Sequence, residues 1–368
     1  MKFILQSGKH DRRDTPVFFR VPAEELTKLA PGGTFCAKLG GGQSVPASYT
    51  VEGGQAQVCF VVPFLPAGET LPVALKPRGC ECAPQMACEQ TERGVDIYMH
   101  GRKFTEYYTG TDLPKPYLGP LFEAFGSQMT RLDLVTREHP HHRSLWISQE
   151  ANGIDFWNEP EGVHGFIRNQ GISDIINGGA YTAFTANNLW TSHGGEPVMT
   201  ETTRYTLYNT PREAALLDVD ITYTAAFGDV TLGATKEAGP LAVRMIPELS
   251  VGKSGTGTIV SGTGGVNEAE TWMRRAPWLD YHGTVGGHAC GVAMLDHPDN
   301  FGFPTYWHVR DGGLMAGNNF LRMGPMELKQ GETVNWKYRV VIHNGDTEAA
   351  DIAGKFADFA FPAVVEAA

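Results

Sequence analysis

The sequence lacks any long hydrophobic run. The longest apolar run near its start, Val58–Leu65, is interrupted by Pro63, whereas a membrane-spanning helix needs about 18 consecutive apolar residues. The first residues also lack the apolar core of about 7–15 residues that a secretory signal requires, because only Phe3, Ile4 and Leu5 are apolar in succession there. We therefore expect a cytoplasmic protein that does not contact a membrane.

An excess of basic residues is absent as well. The chain has 41 acidic and 30 basic residues, which gives a net charge of −11. A surface of this sign repels the phosphates of nucleic acids and anionic lipids. We therefore expect no nucleic-acid partner, and a neutral or sparingly charged small molecule is the favoured ligand. The sequence does not indicate the oligomeric state.

The cysteines do not have the spacing of a zinc site. Three of the six cysteines lie close together, Cys80, Cys82 and Cys88. A structural zinc ion usually needs four ligands in paired C-x₂₋₄-C spacing, and no fourth ligand is nearby. We interpret the three as free thiols in a linker and predict neither a structural metal nor a cofactor.

Motifs for two common chemistries are also missing. The sequence contains no Gly-x-Ser-x-Gly nucleophile elbow and no phosphate-binding loop of the Walker type. The glycine-rich stretch 262–265 lacks the Lys-Ser/Thr ending of such a loop. Nucleotide chemistry is therefore not expected.

The pattern of apolar residues predicts an all-β fold. Residues 217–223 and 334–342 alternate apolar and polar side chains with a period of two, as half-buried strands do. We predict a large β-sandwich over 94–346, preceded by a small N-terminal β-sandwich domain over 1–78 and a linker over 79–93. A helical stripe in 347–368 predicts a C-terminal helix that packs on the sandwich.

The densest group of chemically active side chains lies between Glu138 and His164. Four of the 12 histidines fall in this segment, together with two tryptophans, an arginine and several carboxylates. Imidazoles move protons near neutral pH, and an indole face stacks on the apolar face of a sugar ring. Burying so many titratable groups without a function would be costly. The segment is therefore the candidate active or binding cleft.

The chain resembles the bacterial family known as methane oxygenase PmoA. The resemblance rests on the motifs His139-Pro140-His141-His142-Arg143-Ser144-Leu145-Trp146, Asn152-Gly153-Ile154-Asp155-Phe156-Trp157, Thr235-Lys236-Glu237, Trp278-Leu279-Asp280-Tyr281, Asp296-His297-Pro298 and Trp307-His308-Val309-Arg310 with Asn318. It covers roughly residues 95 to 345 and implies a β-sandwich akin to the galactose-mutarotase super-sandwich. Methane oxidation does not follow from it, because particulate methane oxidation takes place in a membrane.

The leading hypothesis is a carbohydrate-active enzyme that cleaves or isomerises a sugar or a glycoside, a 3-keto glycoside among them, by acid/base catalysis. The predicted catalytic residues are His141 or His142 as acid, Glu237 as base and Lys236 as a polarising group, a role that Arg310 shares. The predicted substrate-binding residues are His139, Arg143, Trp146, Asn152, Asp155, Trp157, Glu159, His164, His308, Arg310 and Asn318.

Two other functions stay open from the sequence. One is a non-catalytic carbohydrate-binding or sensing module. The other is a metal-dependent oxygenase, as the family name says, in which His139 and His141 with Glu150 or Asp155 would form a two-histidine, one-carboxylate set. Aromatic substitutions would abolish binding in the first, and stoichiometric iron or copper would identify the second.

Overall fold

The fold is known from a computed structural model that describes residues 1–29, 35–77, 86–132, 138–252 and 255–368. Most of these residues lie in antiparallel strands arranged in four sheets. Short helices and one 3-10 turn connect them; they are α1 Ala23–Leu29, the 3-10 turn Pro247–Leu249, α2 Asn267–Thr271, α3 Phe320–Met323 and α4 Ile352–Ala360. No helix among the described residues is both long and apolar enough to cross a membrane.

The N-terminal unit consists of one seven-stranded sheet. Its strands, in chain order, are β1 Lys2–Gln6, β2 Arg12–Pro22, β3 Phe35–Leu39, β4 Ser44–Glu52, β5 Gln55–Leu65, β6 Thr70–Pro77 and β27 Val364–Ala367. This single sheet curls on itself. Strands β2 and β1 lie near opposite ends of the strand order, yet Phe3 on β1 contacts Phe19 on β2 with ring centroids 4.7 Å apart. Curling lets a single sheet enclose its own apolar side chains.

Two eight-stranded sheets form the main sandwich. The front sheet has the order β23-β24-β19-β11-β10-β9-β8-β7 and contains β7 Met86–Thr91, β8 Gly94–Met99, β9 Arg102–Tyr108, β10 Tyr117–Leu118, β11 Leu145–Ser148, β19 Gly239–Arg244, β23 Trp307–Arg310 and β24 Leu314–Gly317. The back sheet has the order β14-β15-β16-β17-β26-β22-β21-β20 and contains β14 Phe166–Asn177, β15 Tyr181–Thr191, β16 Pro197–Tyr208, β17 Ala214–Thr224, β20 Thr258–Ser261, β21 Trp278–Val285, β22 His288–Asp296 and β26 Thr333–Asn344.

A small four-stranded sheet lies beside the sandwich. It consists of β12 Glu150–Ala151, β13 Ile154–Asp155, β18 Val230–Leu232 and β25 Met326–Leu328, in the order β13-β12-β18-β25. The large hydrophobic core fills the space between the front and back sheets. The predicted all-β class and its large sandwich are confirmed. Kinship with the galactose-mutarotase super-sandwich stays a prediction.

Two predicted boundaries need correction. The sequence predicts a linker over 79–93, but within this segment β7 pairs with β8 and forms an edge of the front sheet. Its Cys88 is a buried free thiol, whereas Cys80 and Cys82 lie outside the described residues. The C-terminal segment forms the helix α4, which agrees with its apolar stripe. It does not end there: the last residues form β27, an extended strand that pairs with β1 at the edge of the N-terminal sheet.

Candidate functional site

The outer face of the front sheet carries most of the predicted site residues. In β11 and β19, Leu145 and Val243 face the core, so their neighbours point to the opposite face. Across four adjacent strands the register aligns Trp146 with Ala242, Ala242 with Ala316, and Ala316 with His308. Because directly opposite residues share a face, this row joins the segment 138–164 to the distant residues around 308.

A tight loop folds over this row. The loop precedes β11, and both His139 and Ser144 have left-handed backbone, with φ of 50°, an uncommon state for residues other than glycine. Arg131 stabilises it by donating to the carbonyls of Glu138 and His139 at 2.9 and 3.2 Å. The loop thereby places the His142 ring flat on Trp146, with centroids 5.0 Å apart and planes 17° apart.

Four rings form a buried cluster on this face. His142, Trp146, Trp157 and His308 are each 3% exposed or less. Trp157 contacts the rings of His142 and Trp146 edge-on at 5.7 and 5.2 Å. Its ring also lies near His308, with centroids 6.4 Å apart and planes 24° apart. We call these four residues the ring cluster. The sequence placed all four in one site, and the structure brings them together.

The histidine motif continues the ring cluster toward the surface. The His141 ring meets His142 edge-on at 4.3 Å, and His139 stacks on His142 at 5.0 Å. His139 has a side chain that is 51% exposed, and His141 is half-buried. The three imidazoles therefore lead from the solvent to the buried rings.

The two-histidine, one-carboxylate metal set is not formed. Asp155 accepts hydrogen bonds from the backbone N–H groups of Trp157 and Asn158 at 2.7 and 2.8 Å. Glu150 accepts one from Gly153 at 3.1 Å. Throughout the described ranges, no three His, Cys, Asp or Glu side chains are placed to hold a metal ion. These carboxylates instead close the turns on either side of β13.

The pair Lys236 and Glu237 lies at the rim of the ring cluster. The two side chains form an ion pair of 2.8 Å and are 47% and 31% exposed. The Glu237 carboxylate is 4.0 Å from Nδ1 of His308. Asn318 fixes the loop that carries them, because its Nδ2 donates to the carbonyls of Thr235 and Lys236 at 3.0 and 2.9 Å. The predicted base therefore stands beside the buried rings.

A buried ion-pair triad supports the other side of the site. Glu159 accepts two hydrogen bonds from the Arg143 guanidinium, at 2.6 and 2.8 Å, and one from Lys115 at 2.6 Å. The Lys115 ammonium, which is 2% exposed, also donates to the carbonyls of Phe156 and Trp157. With three acceptors its donors are satisfied, and Trp157 is fixed in place.

Glu159 makes one contribution to the pH dependence of stability. Burial alone would raise the pKa of this carboxyl group, but Lys115 and Arg143 lower it from 4.5 to about 2. A depressed carboxyl pKa stabilises the folded state above the unfolded pKa, and this contribution is lost as the pH falls through the folded pKa. We expect the free energy of unfolding to fall between pH 4.5 and about 2. Urea unfolding across this range measures it, and the slope should be smaller in Glu159→Gln.

Burial keeps the site histidines neutral. It lowers the pKa of His141 to about 4, with Lys115 adding to the effect, and it lowers that of His308 to about 4, partly offset by Glu237. The pKa of His142 falls well below its ordinary range for the same reason, with a further contribution from His141. All three are therefore uncharged imidazoles at neutral pH.

This charge state is directly measurable. We expect the ring carbons and nitrogens of His141, His142 and His308 to keep constant NMR shifts from about pH 5 to about pH 8. His282 is the internal control: burial would lower its pKa, but its hydrogen bond to Asp280 outweighs burial and raises it. Its signals should titrate at higher pH than an ordinary histidine. A charge change in His141 near pH 6.5 would contradict this description.

Arg244 determines which nitrogen of His142 carries the proton. Its guanidinium lies 3.3 Å from Nδ1 of His142, and because arginine is only a donor, Nδ1 must accept. In the neutral ring the proton is then on Nε2. Arg244 also bonds to the Glu138 carboxylate at 3.0 Å. His142 therefore presents an N–H donor to the site.

Several buried polar atoms of the site have no hydrogen-bond partner among the described residues. They are Nε2 of His141 and His142, Nε1 of Trp146 and Trp157, Nε of Arg143 and Nδ1 of His308. An unsatisfied buried group costs about 1–3 kcal/mol, so each of these atoms calls for a partner, and a bound ligand can be that partner. Most of these atoms are N–H donors, so the cluster can bind a ligand that is rich in acceptor oxygens.

Three of the predicted site residues make local hydrogen bonds. Asn152 closes a turn, accepting from the N–H of Thr231 and donating to the carbonyl of Asp229. Asp155 caps the turn described above. His164 bonds to the carbonyl of its neighbour Gly165 and packs on Phe166. Each of the three thus makes at least one local hydrogen bond, and their part in ligand binding stays a prediction.

Arg310 remains at the edge of the site. It lies two residues from His308 on β23 and therefore on the same face. Its guanidinium forms a 2.7 Å ion pair with Glu268. It contributes positive charge near His308 without joining the ring cluster.

Three supporting residues were missed from the sequence: Lys115, Arg131 and Arg244. Lys115 stands between Pro114 and Pro116, where no motif marks it. Arg244 has a recognisable signal, because it is a charged residue on the alternate face of an otherwise apolar strand. A charge at such a position needs a partner when it is buried.

Comparison with protein-family models identifies the family of this chain. A family model matches residues 94–357 and is described as a family of unknown function, DUF6807. No curated protein matches.

Two α-galactosidases are among the solved structures to which the chain is similar. One, from Lactobacillus brevis, has 9% sequence identity and a TM-score of 0.34, with 93% of this chain and 41% of that chain covered. The other is a GH36 α-galactosidase from Geobacillus stearothermophilus in complex with 1-deoxygalactonojirimycin, with 14% identity, a TM-score of 0.27 and coverages of 61% and 29%. The chain thus spans less than half the length of either α-galactosidase. Similarity at this level is no evidence of a shared function.

Proposed function

Because the chain belongs to the family of unknown function DUF6807, its own site is the basis for assigning an activity, and we propose that it is an enzyme acting on a small carbohydrate at the outer face of the front sheet. The proposed reaction is cleavage or isomerisation of a sugar or a glycoside by acid/base catalysis, with 3-keto glycosides among the substrates. The proposed location is the cytoplasm.

One observation carries this proposal. Buried N–H donors without a partner among the described residues lie in a single cluster of contacting rings, beside the half-exposed pair Lys236 and Glu237. A carbohydrate offers many acceptor oxygens at short spacing, which is what a group of neighbouring N–H donors can bind. An ionisable carboxylate at the rim supplies the base that proton transfer requires.

The roles of the residues follow from their charge and position. Glu237 is the base, and Lys236 polarises an oxygen that becomes negative during the reaction. His142 donates from Nε2. The acid role expected of His141 or His142 requires the positively charged imidazolium form, because the single N–H of a neutral imidazole is too weakly acidic to give up its proton to a leaving group. A developing oxyanion next to His141 would raise its pKa and restore that role.

A proton NMR time course tests the proposal. The purified chain is incubated with pooled monosaccharides, disaccharides and 3-keto glycosides, and saturation-transfer spectra are recorded from the same tubes. We expect conversion of one class of component, which also identifies the substrate. Saturation transfer without conversion would replace the enzyme with a carbohydrate-binding module. The absence of both conversion and saturation transfer for every component would overturn the proposal.

Asn318 provides a test of positioning. Replacing it with alanine leaves the carbonyls of Thr235 and Lys236 without their donor, at a cost of about 1 kcal/mol each, and loosens the loop of Glu237. We expect kcat to fall by about tenfold to a hundredfold, with KM nearly unchanged. Steady-state kinetics on the substrate found above measures both constants.

The control for this variant is Asn335→Ala on the exposed face of the back sheet. Asn335 also donates several hydrogen bonds, to Asp220, Ile221 and Thr222, but it lies on another sheet. Its replacement should change neither constant. Equal kinetics for Asn318→Ala and the unmodified chain would show that the loop needs no such anchor.

A further inference from the structure

A cavity of about 250 Å³ lies at one end of the main core, between β8 and β9 of the front sheet and β17 and β26 of the back sheet. Its apolar wall includes Met99, Phe104, Ala215 and Ile342, each less than 9% exposed. None of its lining residues belongs to the ring cluster or to the pair Lys236 and Glu237. The cavity is therefore separate from the site described above.

The rim of the cavity is cationic. Arg102 and Arg212 line it and are both exposed, and neither guanidinium has a hydrogen bond or ion pair with any residue in the described ranges. The other charged side chains at the rim are occupied. Lys103 pairs with Asp96 and Glu106 at 2.8 and 2.6 Å, and the Glu123 carboxylate accepts from the backbone N–H groups of Phe125 and Ser127.

The loop that closes one side of the cavity is held in place. Phe125 stacks on His288 of β22, with ring centroids 4.2 Å apart and planes 16° apart. The Glu123 carboxylate binds the loop's own backbone. The cavity is therefore a formed feature of the fold, with an apolar interior and two exposed arginines at its mouth that have no partner among the described residues.

We propose that this cavity binds a small amphipathic anion, with its apolar body against Met99, Phe104 and Ile342 and its carboxylate or phosphate facing Arg102 and Arg212. Arginine recognises both anions through paired N–H donors. A cavity of about 150 Å³ lined by apolar residues holds benzene, so this one suits a ligand with a single ring and a short acidic arm.

Titration calorimetry at low salt tests the proposal with 3-phenylpropanoate and its neutral analogue 3-phenylpropanamide. We expect the acid to bind about tenfold more tightly than the amide, and the double variant Arg102→Gln with Arg212→Gln to remove this difference while leaving the affinity for the amide unchanged. The control Arg20→Gln alters an exposed arginine of the N-terminal sheet and should preserve the difference.

Methionine methyl spectra locate the ligand independently of these variants. With ¹³C-labelled methionine methyl groups, the Met99 signal, assigned through Met99→Leu, should shift on addition of 3-phenylpropanoate. A shift of other methionines without Met99 would overturn the proposal. Equal affinities for acid and amide, the same loss in Arg20→Gln, or no binding of either compound would also overturn it.

Discussion

Replacing Glu237 with glutamine is expected to lower the turnover of the substrate by about 10²–10⁴-fold, the usual contribution of a positioned base. Glutamine keeps the size and the hydrogen-bonding shape of the side chain but cannot accept a proton. The side chain is 31% exposed in a loop, so the free energy of unfolding should change little. The NMR time course measures turnover, and urea unfolding measures stability.

The matched control is Glu327→Gln. Glu327 is 71% exposed and lies near a lysine, Lys329, at 3.9 Å, so it reproduces an exposed Glu–Lys pair away from the ring cluster. Its replacement should leave turnover unchanged. If Glu237→Gln retains full turnover, Glu237 is not the base and the pair Lys236 and Glu237 is a surface ion pair.

The largest expected effect on stability is that of Glu159→Gln. The carboxylate neutralises Lys115 and Arg143, whose side chains are 2% and 6% exposed. Breaking a buried ion pair by removing one partner costs about 3–5 kcal/mol, because the remaining charge stays buried. We expect a loss of this size in the free energy of unfolding from urea titrations at neutral pH.

Two further variants test whether a buried, unneutralised charge causes the loss of stability in Glu159→Gln. Glu24→Gln breaks an ion pair with Lys28 in which both side chains are more than 70% exposed, and exposed pairs contribute about 0–1 kcal/mol. Adding Lys115→Met to Glu159→Gln removes one stranded charge and should recover part of the loss. A Glu159→Gln chain as stable as the Glu24→Gln chain would contradict the buried triad.

The strands and the membership of the ring cluster could be predicted from the sequence for physical reasons. Period-two alternation reports burial, and Leu217 to Tyr223 lie in β17 with that alternation. Short motifs of the sequence contain the four members of the ring cluster, which are His142, Trp146, Trp157 and His308. Because burying titratable groups without a function is costly, such motifs indicate a functional site. Their convergence in space depended on strand register, which the sequence does not reveal.

Three of the predicted site residues also have a local structural role. Asn152, Asp155 and His164 satisfy nearby backbone groups, and Asn and Asp do this in turns as readily as they bind ligands. Composition alone cannot separate the two uses. Conversely, Lys115 acts through contacts with residues 41 to 44 positions away in the chain, so no local pattern could indicate it.

We propose that the N–H donors of the ring cluster, which have no partner among the described residues, bind acceptor oxygens of a carbohydrate. The most direct test is the ¹H–¹⁵N spectrum of the seven tryptophan indoles during titration with the carbohydrate that gives saturation transfer, with Trp146 and Trp157 assigned by conservative replacement with phenylalanine. We expect the Nε1–H signals of these two residues to shift downfield and to saturate with a common affinity. Binding that shifts other indoles and leaves these two unchanged would contradict it.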